Sequence, residues 1–203
     1  MEMTTDSSNS ASGFAQVIDA ETLARARRGD TQAHTVLYQR FGRASFNLAL
    51  RVLGNRAAAE DVVQDVFLKL LGAIRSYRGE APIGAWLKRM TVNAAIDQLR
   101  AQRHLEPEDP ERLFEHVAIA GTLPDDAHDA MALLQRLPAR ARLILVLHEL
   151  EGYTHKELAV LFGQSESYSK SILSRALVRL QEWLQPVPQE SDIVELRTCA
   201  NRH

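Results

Sequence analysis

Short polar and basic side chains cluster between residues 165 and 179 of this sequence. Their spacing places them on the outer side of a helix, where they can bind phosphates and read base edges. The set is Ser165, Glu166, Ser167, Tyr168, Lys170, Ser171, Ser174, Arg175 and Arg179. We find no catalytic constellation and no Cys/His spacing typical of a metal site. The sequence therefore predicts a binding protein, not an enzyme, with no cofactor and no metal.

Two helices joined by a tight turn must position these side chains. Thr154 and Glu157 fit a capping box, in which each side chain satisfies an unpaired amide at the helix start. Ala159 is small where a second helix crosses closely, Gly163 suits a turn with positive φ, and Ser165 can cap the next helix. The inner stripe of that next helix is expected to be Leu173, Ala176, Leu177, Leu180, Trp183 and Leu184. The pattern is typical of a DNA-binding helix-turn-helix, although an ordinary helical hairpin with a solvated face would share it.

An earlier helix, over about 56–77, has one apolar and one acidic side. The residues expected in the core are Val62, Val63, Val66, Phe67, Leu70, Leu71 and Ile74. The opposite side carries Asp61, Gln64 and Asp65 together with Leu68, an odd residue to expose. This side is either a solvated face or a surface that docks on a basic partner helix.

A fourth helix, over about 86–103, has a basic side. Arg89, Asn93, Asp97 and Arg100 recur there at three- and four-residue spacing, and Leu87, Met90 and Ala94 point toward the core. We expect Asp97 to orient an arginine, because a bare carboxylate facing phosphate would be repelled. Tyr77 and Trp86 flank the preceding loop, where aromatic rings suit stacking of unpaired bases, although core packing is their commoner use.

Periodicity and turn signals predict an all-α protein with no strands. The helices are expected over about 19–29, 30–53, 56–77, 86–103, 126–136, 139–150, 154–162 and 165–184. We expect two small helical domains, 19–103 and 126–185, joined by an acidic linker over 104–125, the C-terminal domain holding the helix-turn-helix. The polar start, 1–18, is expected to be disordered, and 186–203 forms a tail.

Charge is segregated along the 203 residues, although the net charge is only −2. Residues 75–103 hold six bases against two acids, a net of +4, and residues 104–129 hold one base against eight acids, a net of −7. A basic module is thus followed by an acidic connector. With no membrane span or signal segment, the protein is expected in the cytoplasm, and Cys199 is expected to be a free thiol.

These pieces, in this order, resemble the extracytoplasmic-function group of the sigma-70 family, the dissociable promoter-recognition subunits of bacterial RNA polymerase. Residues 59–68 resemble the family's core-polymerase-binding segment, and Trp86-Leu87, Asn93, Asp97 and Leu99-Arg100 resemble its minus-10 helix. The sequence from Leu137-Pro138 to Lys170-Ser171 resembles the domain that reads the minus-35 element. The resemblance covers about residues 20–184.

Carried onto this chain, the resemblance implies roles for the residues singled out above. Asp61, Gln64, Asp65 and Leu68 would dock on core RNA polymerase, a partner contacted through its largest and second-largest subunits. The minus-10 region of promoter DNA would be held by Arg78, Trp86, Lys88, Arg89, Asn93 and Arg100. The 78–83 loop would receive a flipped base, and the 165–179 set would contact the minus-35 element. An anti-sigma factor or another regulatory protein is an expected partner.

One departure from the family's pattern bears on the minus-35 contact. Where the family has a Gly-Thr-Val-Lys-Ser-Arg run, residues 167–172 read Ser-Tyr-Ser-Lys-Ser-Ile. Ser169 replaces an apolar packing residue, and Ile172 replaces a phosphate-binding arginine. We therefore expect Tyr168 or Ile172 to lie against thymine methyls, and arginine at position 172 to raise DNA affinity.

The leading hypothesis is an alternative sigma factor that recognises both promoter elements and promotes melting. The second hypothesis is a stand-alone helix-turn-helix regulator with an N-terminal sensing or dimerising module. A third, an anti-sigma-like protein that only sequesters partners, is disfavoured by the basic fourth helix.

Overall fold

A computed structural model describes residues 13–102, 109–110, 112–115 and 130–184, and every regular element in these ranges is helical. The α-helices are α1 (Ala20–Arg27), α2 (Thr31–Leu53), α3 (Arg56–Ala73), α4 (Ile83–Ala101), α5 (Ala130–Arg136), α6 (Ala139–Leu145), α7 (His155–Phe162) and α8 (Glu166–Leu184). Short 3-10 turns cover Gly13–Ala15, Ile74–Ser76 and Arg112–Phe114, and α6 continues as a π-helical turn over Val146–Leu150. The prediction of an all-α fold is confirmed.

Local capping fixes where the first helices begin. The side chains of Asp19, Asp30 and Asn55 each accept hydrogen bonds from amides in the first turns of α1, α2 and α3. Helix α2 ends at Gly54, whose φ of 69° is a left-handed conformation that glycine adopts without strain. A side-chain hydrogen bond from Arg25 lowers the pKa of the Asp30 carboxyl, which keeps that cap ionised.

Helices α2, α3 and α4 pack as an N-terminal bundle. Its core is filled by large, fully buried side chains, among them Leu37, Phe41, Leu48, Leu70, Leu87 and Ile96. The turn Gly13–Ala15 closes one side of the bundle, with Phe14 only 4% exposed. A Cβ at Gly84 would lie 1.9 Å from the Phe14 carbonyl oxygen, so the first turn of α4 needs glycine there.

The start of α4, the polar N-terminal segment and the acidic linker differ from the sequence prediction. Helix α4 begins at Ile83 instead of Trp86, because Pro82 has a φ of −53° that suits the position just before a helix. The prediction of a disordered start over 1–18 is wrong at its end, where Phe14 is buried. The acidic linker contains a 3-10 turn whose Phe114 is 4% exposed, so this part of it is packed.

Helices α6, α7 and α8 form the core of a C-terminal bundle, and α6 also packs against α2. Leu143, Ile144, Leu147 and Leu158 are fully buried in it. The two bundles are therefore in contact in this structure. No helix in the described ranges is long and apolar enough to cross a membrane. The predicted tail over 186–203, with Cys199, lies outside the described residues.

Candidate nucleic-acid and protein interfaces

The acidic side of α3 is open to solvent. Asp61, Gln64 and Asp65 are exposed, and Leu68 is 58% exposed. They lie on or beside a groove of about 1040 Å³ between α2 and α3, whose lining includes Gln64, Leu68, Tyr38, Phe46, Phe67 and Leu71. An apolar groove with exposed aromatic and aliphatic side chains, next to carboxylates, is suited to a partner helix that carries both apolar and basic residues.

The prediction that Leu71 belongs to the core is wrong. Leu71 is 45% exposed, because α3 and the turn after it bury Val66, Leu70 and Ile74 at four-residue intervals and Leu71 falls one position past that stripe. Leu71 instead widens the apolar surface beside Leu68. Sequence periodicity alone does not tell whether a residue at the edge of the buried stripe, such as Leu71, is covered or exposed.

The basic side of α4 is partly open. Arg89, Asn93 and Arg100 are exposed, whereas the Lys88 side chain is only 18% exposed. The Arg100 guanidinium lies 3.6 Å from the Asp97 carboxylate, which confirms the prediction that Asp97 orients an arginine. Arg89, Asn93 and Arg100 are thus available together as donors along one side of the helix.

Tyr77 and Trp86 hold the loop before α4. Their rings stack with centroids 5.3 Å apart, and the Tyr77 hydroxyl donates to the carbonyl of Ala81. The Arg27 guanidinium donates to the Tyr77 carbonyl over 2.6 Å. Trp86 is half-buried, so one part of its ring packs against the protein beneath the loop and another part stays open to solvent. Arg78 is exposed at the loop and lies 3.8 Å from Glu80.

Helix α7 and the turn after it have the chemistry predicted from the sequence. The Thr154 hydroxyl accepts from the Glu157 amide, and the Glu157 carboxylate accepts from the Thr154 amide over 2.8 Å. The hydrogen bonds that the Glu157 carboxylate accepts from the Thr154 amide and from the Thr154 hydroxyl lower its pKa. Gly163 has a φ of 62°, and the Ser165 hydroxyl accepts from the Tyr168 amide at the start of α8. The capping box, the glycine turn and the Ser165 cap are confirmed.

The predicted DNA-contacting side chains of α8 lie mostly on its exposed side. Ser165, Glu166, Ser167, Lys170 and Ser174 are exposed, and Ser171, Arg175 and Arg179 are half-buried. Lys170 pairs with Glu166 at 3.7 Å, and Arg179 pairs with Glu182 at 2.8 Å. The Arg175 guanidinium donates to the Ser171 hydroxyl. Tyr168 is half-buried, and its hydroxyl accepts from Arg140 of α6 over 3.0 Å.

Three predictions about the inner side of α8 are wrong. Leu177 and Leu184 are 39% and 59% exposed, and Ile172 has no exposed surface. Helix α8 packs against both α6 and α7, so its buried stripe passes through Ser169, Ile172, Leu173, Ala176 and Trp183. Ile172 therefore cannot touch a thymine methyl, and an arginine there would enter the core.

Ser169 is explained by a polar partner that the sequence did not reveal. Its hydroxyl donates to the Glu166 carbonyl over 2.9 Å and lies 3.0 Å from Nδ1 of His155. With the hydroxyl proton on that carbonyl, Nδ1 of His155 is the donor to Ser169 Oγ, which is the tautomer that satisfies both hydrogen bonds. The His155 ring also stacks on that of His148, with centroids 4.3 Å apart. Burial, followed by the charges of His148 and Lys170, lowers the pKa of His155.

Two buried charges lie where the bundles meet, and sequence reasoning missed both. Arg142 is 7% exposed and donates from Nε to the Val52 carbonyl over 2.9 Å and from Nη2 to the Leu53 carbonyl over 3.2 Å. Burial lowers the pKa of this guanidinium. Glu151 is 8% exposed and lies 3.0 Å from Lys88 Nζ. Among the described side chains, no three His, Cys, Asp or Glu residues meet as metal ligands.

Comparison with known proteins gives these surfaces a context. Residues 37–105 match the family model for Sigma-70 region 2, and residues 127–180 match that for Sigma-70, region 4. The ECF RNA polymerase sigma factor SigM of Mycobacterium tuberculosis is 33% identical, covering 82% of this chain and 84% of that protein. The ECF RNA polymerase sigma-E factor of Escherichia coli is 26% identical, covering 85% of this chain and 97% of that protein.

A solved structure shows the same likeness in three dimensions. The sigma factor RpoE from Bartonella quintana, in complex with the anti-sigma factor NepR, is 27% identical with a TM-score of 0.51, covering 74% of this chain and 95% of that one. The chain belongs to the sigma-70 family of RNA polymerase sigma factors, within its extracytoplasmic-function group. It is an alternative sigma factor, and the hypothesis of a stand-alone helix-turn-helix regulator is wrong.

Proposed function

We propose that this sigma factor docks on core RNA polymerase through the acidic side of α3. The observation that carries the proposal is the exposure of Leu68 beside Asp61, Gln64 and Asp65, at the edge of an apolar groove. A Leu that is 58% exposed on a well-packed helix gains free energy only when a partner covers it. The carboxylates favour a basic partner and steer its approach.

The minus-10 element is held by the basic side of α4 and the loop before it. Arg89, Asn93 and Arg100 contact phosphates and sugars of the non-template strand, with Lys88 beside them and Arg78 at the loop. The Tyr77–Trp86 stack gives the loop a rigid aromatic edge against which an unpaired base can lie. Strand separation follows from capture of unpaired bases, so the subunit needs no chemistry of its own.

The minus-35 element is read by the exposed side of α8 near its start. Ser167, Lys170, Ser171 and Ser174 present short hydroxyls and an ammonium to base edges and phosphates, with Ser165 and Glu166 at the helix start. Arg175 and Arg179 lie further along the same side and contact the backbone. Tyr168 is held by Arg140 and therefore positions the helix against α6 more than it reads bases.

We also propose that an anti-sigma factor holds the protein inactive in the cytoplasm until a signal releases it. The solved relative from Bartonella quintana, which is bound to an anti-sigma factor, supports this partner. To test this idea, the chain is purified from its host together with any protein bound to it. That protein is then added to a run-off transcription assay that contains the sigma factor and core polymerase. An inhibitor should lower promoter-specific transcripts, and a partner that leaves transcription unchanged contradicts this part of the proposal.

The docking role of α3 is tested by Leu68→Ala in a run-off assay with core polymerase that lacks any other sigma factor. The variant loses a leucine side chain that core polymerase would bury. It should therefore bind core enzyme about tenfold more weakly and give fewer transcripts when core enzyme is limiting. Leu184→Ala is the matched control, because Leu184 is a similarly exposed leucine on α8. Equal core affinity for the two variants contradicts the docking surface, and no promoter-specific transcript from the unchanged protein contradicts the whole proposal.

A further inference from the structure

A short segment ahead of α1, residues 13–18, is fixed against the N-terminal bundle. Phe14 is 4% exposed, and its carbonyl oxygen lies so close to Gly84 that a Cβ there would be 1.9 Å away. The Gln16 side-chain amide donates to a carbonyl of α2 over 3.0 Å, and Asp19 then caps α1. The segment is therefore held at both ends, although it precedes the part of the chain that matches the Sigma-70 region 2 model.

A cavity of about 580 Å³ lies between this segment and the loop before α4. Residues 14–18 line it on one side, and Tyr77, Pro82, Ala85 and Lys88 line it on the other. Most of this lining is apolar. Sites for small organic ligands measure about 300–1,000 Å³, so the cavity can enclose a flat ring such as a nucleobase.

Arg27 of α1 holds the loop side of the cavity. Its guanidinium donates to the Tyr77 carbonyl over 2.6 Å and lies 5.5 Å from the centre of the Tyr77 ring. The same ring stacks on Trp86, and its hydroxyl donates to the Ala81 carbonyl. Both walls are thus in place before a ligand arrives, so binding does not have to order the loop or the segment.

The charge around the cavity favours a nucleic-acid ligand. Residues 75–103 carry a net charge of +4, and the exposed Arg78 and Arg89 directly follow two residues of the lining, Tyr77 and Lys88. An unpaired base has apolar faces that apolar walls can cover, whereas the phosphates on either side of it need cations outside the cavity. This combination suits a base taken from a single strand.

We propose that the segment 14–18 is the second wall of a pocket for an unpaired base of the minus-10 element, and that Val17 contacts this base. The inference rests on the proposed minus-10 role of α4 and its loop. Val17 lines the cavity and yet is 85% exposed, the largest exposed fraction of any large apolar side chain in the described ranges. A base in the cavity covers this side chain, and the apolar surface that it buries stabilises the separated strand.

A photo-cross-linking benzophenone amino acid in place of Val17 tests the contact. The full-length chain is assembled with core polymerase on promoter DNA that run-off transcription has selected from a genomic library. Position 17 should cross-link to one nucleotide of the non-template strand in the minus-10 region. The same label at Ala20, which is exposed but outside the cavity lining, is the control and should give little of this product. A cross-link to protein alone, or equal cross-linking to DNA from both positions, overturns the proposal.

A charge-matched pair of variants tests the effect on melting. Val17→Asp removes the apolar contact and repels the phosphates beside the base, so promoter opening should be about fivefold slower. Ala20→Asp adds the same charge in the first turn of α1, where an acid is favourable, and should change the rate less than about twofold. The reactivity of unpaired thymines toward permanganate measures the rate. Equal rates for the two variants overturn the role of Val17.

Base selectivity separates a contact from a general defect. Each base of the minus-10 non-template strand is replaced in turn, and transcription by Val17→Asp is compared with that by the unchanged protein. A contact alters the preference at the cross-linked position, whereas a uniform loss on every template overturns the proposal.

Run-off transcription by the unchanged protein reports on the proposed function independently. If promoter-specific transcripts form while position 17 does not meet DNA, only the pocket wall is wrong. If no such transcripts form, the proposed function fails and the inference falls with it.

Discussion

Ile172 lies on the inner side of α8, in the core of the helix-turn-helix. The family pattern over residues 167–172 had predicted a DNA contact at this position. Leu158 of α7 and Ala176 of α8 belong to the same core, and both are without exposed surface. A charged side chain at such a position must be desolvated without a partner. We therefore expect the DNA-facing charge of this part of α8 to come from Lys170 and Arg175.

We predict that Ile172→Arg destabilises the protein by about 3–5 kcal/mol and abolishes DNA binding by the C-terminal bundle. This reverses the expectation from sequence that arginine there raises affinity. Ser167→Arg, at an exposed position on the same helix, is the control and should leave the unfolding midpoint in urea unchanged. An Ile172→Arg variant that is stable and binds DNA more tightly would show that α8 is rotated from its position here.

His155 makes the stability of the C-terminal bundle sensitive to acid. Its pKa is lowered in the fold from 6.5, first by burial and then by the charge of His148. The unfolded chain therefore binds the proton more tightly than the folded one. The stability that neutral His155 contributes is complete above pH 6.5 and is lost as the pH falls below that value. The neutral ring donating to Ser169 is the form that the fold favours.

We expect acidification from about pH 7.5 to about pH 5.5 to lower the melting temperature more in the unchanged protein than in His155→Gln. The glutamine amide can still reach Ser169 but has no proton to gain. Thermal unfolding followed by circular dichroism at both pH values measures the difference. An equal drop in both proteins contradicts a role for His155 in this pH dependence.

At the scale of the element, α7 is the helix whose start depends most on its own sequence. Thr154 and Glu157 satisfy each other's amides, so the chain begins the helix at one residue without help from distant groups. That start fixes where Gly163 falls, and therefore the angle at which α8 leaves the turn. A shift of one residue would rotate the exposed side of α8 by about 100°.

Thr154→Ala should destabilise the protein by about 1 kcal/mol, because it removes the hydroxyl that accepts from the Glu157 amide. The loss is expected to weaken minus-35 binding as well, since α8 is less firmly placed. Thr35→Ala, at an exposed site within α2 whose hydroxyl only returns to the Thr31 carbonyl, is the control and should change stability by less than half as much. Urea unfolding of both variants measures the comparison, and equal losses would remove the capping box as the cause.

Elements defined by short-range chemistry were predictable from sequence, and surfaces defined by distant partners were not. The capping box, the Gly163 turn and the Asp97–Arg100 pair each involve residues within five positions. Helix faces were predicted correctly at their centres and wrongly at their edges, as at Leu71 and Leu177. The edge of a buried stripe depends on how many neighbouring helices cover it, which periodicity does not contain.

At the scale of the whole molecule, the contact between the bundles depends on residues that are far apart in the sequence. Arg142 lies about 90 positions from the carbonyls that it caps, and Glu151 lies 63 positions from Lys88. No local pattern marks either residue, because an arginine or glutamate in a helix is ordinarily a solvated side chain. The sequence predicted two separate domains joined by a linker, whereas in the structure Arg142 and Glu151 connect the two bundles directly.

Phe114 limits how far apart the two bundles can move. Its ring is buried and lines one cleft with Arg175, Val178 and Arg179 of α8, so the chain lies beside the C-terminal bundle well before α5 begins. Between Gln102 and Arg112 the covalent chain can span at most about 35 Å, whereas between Gln102 and Ala130 it could span about 100 Å. While Phe114 stays beside α8, the span available between the two bundles is about a third of what the whole connecting segment could cover. We therefore expect promoter elements farther apart than this span to require the phenylalanine to leave α8.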